Sequence, residues 1–277
     1  MLRRLDCWTC LGLVLILAAA GCAAFPEALA PFDPALQDTS QRLRLPGWRD
    51  AAGRLHPLGT DQLGRDILSR VVHGARVSLL IAVVAVAIAA TLGLALGLSA
   101  GYFRGWVDDL VMRAADVLLA LPFILLAIAL VAVLGPSVGT IIAVLGTTGW
   151  VSTARVVRAQ ALSLRTRDFV AAARALGSGH GRILARHLLP NAQASAIVIA
   201  ALEVGRMILL ESALSFLSLG APPPTPTWGG MLADGRVYLS SAWWLATFPG
   251  VAILLTVLGI NLVGDWLRET LDPKLAF

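Results

Sequence analysis

VLLALPFILLAIALVAVLGPSVGTIIAVLGTTGWVSTA, residues 117–154, runs for 38 positions between Asp116 and Arg155 without an ionisable side chain. A helix needs about 20 apolar residues to cross a hydrocarbon core of about 30 Å, so this stretch predicts two membrane spans. Gly135, Pro136 and Gly139 near its middle provide the turn between them, and Pro122 predicts a kink in the first, because it lacks a backbone donor. Three other charge-free gaps flank it: 20 residues between Asp6 and Glu27, 27 between Arg76 and Arg104, and 28 between Arg236 and Asp265. A further apolar stretch from Ala192 to Leu219, interrupted by three charges, brings the expected total to six. The fold class read from this pattern is an all-α, polytopic membrane protein.

Composition agrees. Of 277 residues, 57% are apolar and only 14% charged, against about 25% charged in an average globular domain; mean hydropathy is +0.78. A soluble domain, a disordered chain, a coiled coil and a secreted disulfide scaffold are all excluded. With six spans the termini share a side, and arginine placement chooses it. Residues 155–190 hold seven arginines and one acid, Asp168, so this loop is expected in the cytoplasm. That distribution is accounted for by topology, without a nucleic-acid partner. The termini follow it inside, with Arg3 and Arg4 at one end and Arg268 and Lys274 at the other. The polar stretch from Ala30 to Arg76 also has seven arginines, but five aspartates offset them, and long segments weigh less in the bias.

The domain reading is therefore an N-terminal membrane helix (1–30), an external polar segment (31–76), a core of five further membrane helices (77–265) containing a cytoplasmic loop (158–190), and a cytoplasmic tail (266–277). Arg3 and Arg4 followed by an apolar run to Cys22 also fit a lipoprotein signal. An uncleaved helix is preferred, since cleavage leaves five spans and puts the basic loop on the wrong side. Cys7 and Cys10 form a CxxC pair with no βαβ context, which is read as incidental.

Several chemistries are missing or weak. Lys274 is the only lysine and precedes Leu275, so no GxxxxGK[ST] phosphate loop exists here. His180 and His187 sit seven apart and could share a helical face, a thin basis for a metal site. Gly135–Gly139 matches GxSxG around Ser137, but no strand precedes it, and a tight interhelical turn explains the same residues. An intramembrane serine hydrolase built on Ser137 stays as one alternative.

Within the basic loop, residues 163–191 read SLRTRDFVAAARALGSGHGRILARHLLPN. This predicts two short helices: Asp168 opens the first, alanines fill it, Gly177 takes the left-handed C-terminal position, Ser178 caps the second, and Pro190 opens the next span. A short helix with small residues on one face, and Phe169, Val170 and Leu176 nearby, is shaped to seat in a partner's groove.

Here the sequence resembles the binding-protein-dependent ABC importer permeases, whose EAA loop reads Glu-Ala-Ala, three residues, Gly, nine residues, Ile, one residue, Leu-Pro. Ala172, Ala173, Gly177, Leu189 and Pro190 fall at that spacing; Ala171 replaces the glutamate and His187 the isoleucine. A histidine there, together with HPLGTDQLGRDILSR from His56, GWVDDLVMRAADVLLALP from Gly105, PPPTPTWGGMLADGR from Pro222 and LVGDWLRETLDPKL near the C-terminus, resembles the dipeptide, oligopeptide and nickel branch. The resemblance implies a type I importer permease (MetI-like) fold in the bacterial inner membrane, and an importer half-channel for dipeptides or oligopeptides, with nickel as the alternative cargo. It implies no cofactor on this chain, with ATP and Mg on partners. The implied partners are a second permease subunit in a heterodimer, two ATPase subunits, a solute-binding protein and membrane lipid. It makes 168–176 the coupling helix, with Asp168 and Ala171 among its residues, and the segments around Thr60, Asp61 and Arg65 and around Pro222 and Trp228 candidates to meet the binding protein. These outer segments could equally serve only to cap helix ends.

Glu203, Arg206 and Glu211 interrupt the fifth span. Its twelve Leu, Ile, Val and Phe residues contribute about −5 kcal/mol on the insertion scale, whereas three central charges cost roughly +8 to +9. The charges must pair or face a polar interior. Glu203 and Arg206, three apart, can meet on one face. Their expected role is to line the pathway or a gate, with helix-to-helix pairing as the simpler alternative; a stand-alone secondary transporter using Glu203 and Glu211 as proton sites is the other functional class. Asp116 and Arg113, also three apart, are expected to form an interfacial pair.

Overall fold

The computed structural model describes residues 6–271; Arg3, Arg4 and Lys274 lie outside them. The described chain is almost entirely helical. Helix α1 (Cys7–Ala24) and the single turn α2 (Pro26–Leu29) are followed by an irregular polar segment, which contains a two-stranded antiparallel ladder of β1 (Trp48–Arg49) and β2 (Leu55–His56). Then come α3 (Ile67–Phe103), α4 (Gly105–Ala120), α5 (Phe123–Leu134), α6 (Val138–Thr148) and α7 (Trp150–Leu164). The basic loop forms α8 (Asp168–Ala175) and α9 (His180–Ile183), and α10 (Leu189–Phe216), α11 (Trp228–Gly235) and α12 (Trp244–Leu271) follow.

Among the described residues, four segments are long and apolar enough to cross a bilayer: α1, α3, the α6–α7 unit and α12. A fifth is the α4–α5 pair, bent by 92°. The expected count of six is thus met only to four or five by length and composition. The remaining helix, α10, has 28 residues but carries the three charges that lower its apolar character.

Helix α3 is the axis of the bundle. Its 37 residues extend about 55 Å at 1.5 Å per residue, far beyond a hydrocarbon core. The excess is at its start. Asp66 caps it by accepting from the Ser69 amide at 2.7 Å, so the first turns lie inside the segment that the sequence assigned to the polar exterior. Lower down, Gly93, Gly97 and Gly101 form a stripe at spacing four against Thr153, Ala154 and Ala161 of α7. A Cβ at any of the three would meet α7 atoms at 2.6 Å. Small residues at this period let two backbones close together, which is the main source of helix association in lipid. Helix α1 uses the same device on α12, where Gly12 and Gly259 face each other's backbones.

Pro122 does more than kink. The helix stops at Leu121, which adopts an extended conformation, and restarts at Phe123. Leu121 precedes a proline, and that position is driven out of the helical region. The GPSVG turn forms as expected: Gly135 has φ +82°, and the Ser137 hydroxyl caps α6 by accepting from the Thr140 amide at 3.0 Å.

One detail of the basic loop differs from expectation. Gly177 is left-handed (φ +79°), but the residue before α9 is Gly179, with no side-chain cap; Ser178 does not fill that role. Pro190 stands in the first turn of α10, as expected, where its missing donor costs no helical bond; the chain enters that helix from α9 through a π-helical turn, Leu184–Leu188.

Candidate functional site

Three regions carry the polar chemistry. At one end of the bundle, α8 is amphipathic. Val170 and Ala173 point inward and join a cluster with Leu98, Val157, Ile183 and Leu188. Two further links fix the loop to the foot of α3: Tyr102 Oη and His180 Nδ1 are hydrogen bonded at 2.8 Å, and the Arg165 guanidinium donates to the Tyr102 carbonyl at 3.0 Å. His187 lies beside the Phe169 ring instead, so the two histidines have separate partners. On the outward side, Asp168, Phe169, Ala171, Ala172 and Leu176 are exposed, Leu176 to 86%. Phe169, Ala172 and Leu176 fall at i, i+3 and i+7, one apolar face. Ala173, placed by the sequence in the docking set, is buried and belongs to the opposite face. Gly177 is exposed just beyond the helix, while Leu189 and Pro190 start α10.

Halfway along the bundle, α7 presents a polar ladder. Ser152 donates to Glu203 of α10 at 3.0 Å, Arg155 to Asp116 of α4 at 2.7 Å, and Arg158 makes a two-pronged contact with Asp108 at 2.5 and 2.7 Å. Gln160 adds a bond to Ser195. Glu203 also accepts from Arg206 at 3.1 and 3.2 Å, the pairing read from their spacing. Asp116 pairs with Arg155 rather than Arg113, because α7 packs alongside α4 and brings a guanidinium to it. Arg155 and Arg206 both line a cavity of about 490 Å³ at the α4–α5 bend.

Glu211 is elsewhere. Eight residues further along α10, it is fully buried, accepting from Ser215 at 2.7 Å and Ser78 at 3.4 Å. Ser78 in turn accepts from the Trp228 amide at 3.2 Å. This carboxyl joins α10, α3 and the start of α11.

The third region is the outer cover. Thr60, Asp61, Arg65 and Trp228 are all buried, and only Pro222 of that candidate group is exposed. Thr60 bridges the Gln41 carbonyl and the Arg44 amide. Asp61 accepts from Arg65 at 2.6 Å, and the Arg65 and Arg70 guanidiniums reach Asp234 of α11 at 3.8 Å. Trp228 donates to the Val71 carbonyl at 2.9 Å. His56, stacked on Phe32, is bonded to Asp66 at 2.8 Å. These side chains hold the cover to α3 and α11.

Sequence reasoning did not find Asp108, Ser152, Arg155 or Arg158 as a set. Their spacing of three along 152, 155 and 158 was visible; what it faced was not.

The comparisons with known proteins agree with this architecture. Residues 93–277 match a family described as the inner membrane component of binding-protein-dependent transport systems. The di/tripeptide transport system permease protein DppC of Pseudomonas aeruginosa is 45% identical over 264 residues, covering 95% of this chain and 87% of that protein. The dipeptide transport system permease protein DppC of Escherichia coli K12 is 46% identical, with 95% and 88% covered. The DppC protein of Alkalihalophilus pseudofirmus is 44% identical, with 95% and 85% covered. A match over two thirds of the chain, together with relatives aligned over nearly all of it, identifies the chain as a permease rather than an enzyme: it belongs to the family of inner membrane components of binding-protein-dependent transport systems.

Proposed function

We propose that the chain is one of two permease subunits of an ABC importer for dipeptides or short oligopeptides, with α8 as the element on which an ATPase subunit pushes. The observation that carries this reading is the outward apolar face of α8. Phe169, Ala172 and Leu176 expose hydrophobic surface on a helix that is otherwise well fixed to α3, α7 and α10, and such a patch marks a protein contact. A rigidly attached helix transmits a displacement to the spans, whereas a loose loop would absorb it. ATP and Mg belong to the partner ATPases in this scheme, since no phosphate loop is available on this chain.

Peptide is favoured over nickel as cargo by the names of the relatives, which describe dipeptide permeases. The paired permease is expected to be a different chain, and the solute-binding protein is expected to meet the outer cover through exposed residues such as Pro222, with Thr60, Asp61, Arg65 and Trp228 shaping that surface from beneath. Helix α10 serves as the sixth span, its charges relieved by Ser152, Ser78 and Ser215, and Glu203 with Arg206 faces the pathway.

The test is a charge placed on each face of α8. Ala172→Glu, on the exposed face, is expected to reduce copurification of the ATPase subunits at least tenfold while the permease remains folded. Ala173→Glu, on the buried face, is expected to lower the yield of folded permease itself. Undiminished ATPase association in Ala172→Glu would refute the docking assignment.

A further inference from the structure

We infer that the cavity at the α4–α5 bend binds the C-terminal carboxylate of the transported peptide through Arg155 and Arg206; this rests on the peptide-import reading above and names the recognition chemistry within it. The cavity, about 490 Å³, falls in the size range of small-molecule sites, about 300–1,000 Å³. Its wall divides by chemistry. One part is apolar, with Leu121, Phe123 and Leu210; the other offers the two guanidiniums, beside the Thr148 and Ser152 hydroxyls, whose protons go to the Val144 carbonyl and to Glu203. No acidic side chain lines it.

The carboxylates stand behind the arginines instead. Arg155 uses Nη2 on Asp116 and Arg206 uses Nη1 on Glu203, and Glu203 is itself held by Ser152. A guanidinium has five donors, so each arginine is oriented by one acid and still has donors to offer. Arg206 lies within α10, and an arginine inside a membrane span marks a pathway. Two such groups, with spare donors and no carboxylate in the cavity lining, suit an anion.

A peptide has one anion that does not vary with its sequence, the C-terminal carboxylate, and arginine matches carboxylate geometry with two parallel bonds. The apolar wall then takes variable side chains without reading them. A lipid phosphate presents the same charge, so the test separates the two sources.

The experiment uses the transporter purified with its native partners and reconstituted in vesicles. Uptake of radiolabelled Ala-Ala is compared with that of its C-terminal amide, in wild type and in Arg206→Met. Selection by the binding protein affects both proteins equally and cancels in the comparison. A lost charge-assisted bond is expected to reduce the acid-to-amide preference about tenfold to a hundredfold, with Arg206→Lys retaining most of it. An unchanged preference overturns the inference. If Arg206→Met carries neither form, Arg155→Met is read by the same ratio, and an unchanged ratio there overturns the inference. Vesicles of phosphatidylcholine alone and with phosphatidylglycerol form the second arm. A loss that is equal for acid and amide and appears only with the anionic lipid assigns the arginines to lipid and overturns the inference. Wild type that carries neither form would instead refute peptide import itself.

Discussion

Glu211 shows how a single buried carboxyl is made tolerable in an apolar helix by hydroxyl partners. Its oxygens are met by Ser215 and Ser78, and Ser78 passes the connection to the Trp228 backbone. Removing the acceptor leaves these buried hydroxyls without a partner, at about 1–3 kcal/mol for each unsatisfied group. Glu211→Gln keeps a carbonyl oxygen in the same place, whereas Glu211→Leu does not. Thermal unfolding in detergent is expected to show a clear loss of Tm for Leu and a much smaller one for Gln. Equal melting of the two variants would mean that the hydroxyl network contributes nothing to joining α10, α3 and α11. Glu203 differs in that it has both a hydroxyl and a guanidinium, and it stands beside open space rather than within packed helices.

At the level of the helix, the contact of α3 with α7 depends on what three glycines lack. Gly97 has the Ala154 carbonyl and the Val157 Cβ within 3 Å of where its own Cβ would be, so a larger residue must separate the helices. Gly97→Leu is expected to cost about 1–3 kcal/mol from overpacking alone, read as reduced thermal stability and lower yield. Gly139→Leu is the control, since a Cβ there meets nothing closer than 3.8 Å; if the two variants behave alike, the stripe is not what holds the pair. The glycine spacing was present in the sequence and supplies its own signal, whereas the partner helix was not. The same distinction runs through the rest of the molecule. Charge-free runs located four or five apolar spans, and Gly135 and Gly177 revealed their backbone roles, because these depend on local chemistry. Asp116 was matched to Arg113 because same-helix spacing is all that a sequence displays; its actual partner, Arg155, lies 39 residues away. The candidate outer contacts failed to separate from structural residues for a related reason. Polar identity does not reveal burial, and Asp61 and Arg65 are buried because they satisfy each other.

Across the whole molecule, the order of the helices fixes which regions share a side. Following α3 from its cap at Asp66 to its foot at Tyr102 places the cover residues at one end and the α8 loop at the other. Helix α10 returns from the loop to the cover, where Ser78 and Trp228 meet Glu211, and α12 descends again with α1 along it. The arginine-rich loop end is expected in the cytoplasm under the positive-inside rule. Exposed Trp8 and Trp106 lie toward that end, and exposed Trp243 toward the other, as expected for aromatic side chains at two membrane interfaces. This orientation can be read directly by cysteine labelling. With Cys7, Cys10 and Cys22 replaced by serine, a cysteine introduced by Thr225→Cys, on the exposed proline segment, is expected to react with a membrane-impermeant maleimide in cells whose outer envelope has been opened. One introduced by Ser178→Cys, beside α8, is expected to react only after the inner membrane is broken. The reverse pattern would invert the molecule and put α8 where no ATPase could reach it. Labelling of both sites from outside would mean that α10 does not cross the bilayer, because that helix is the link between them.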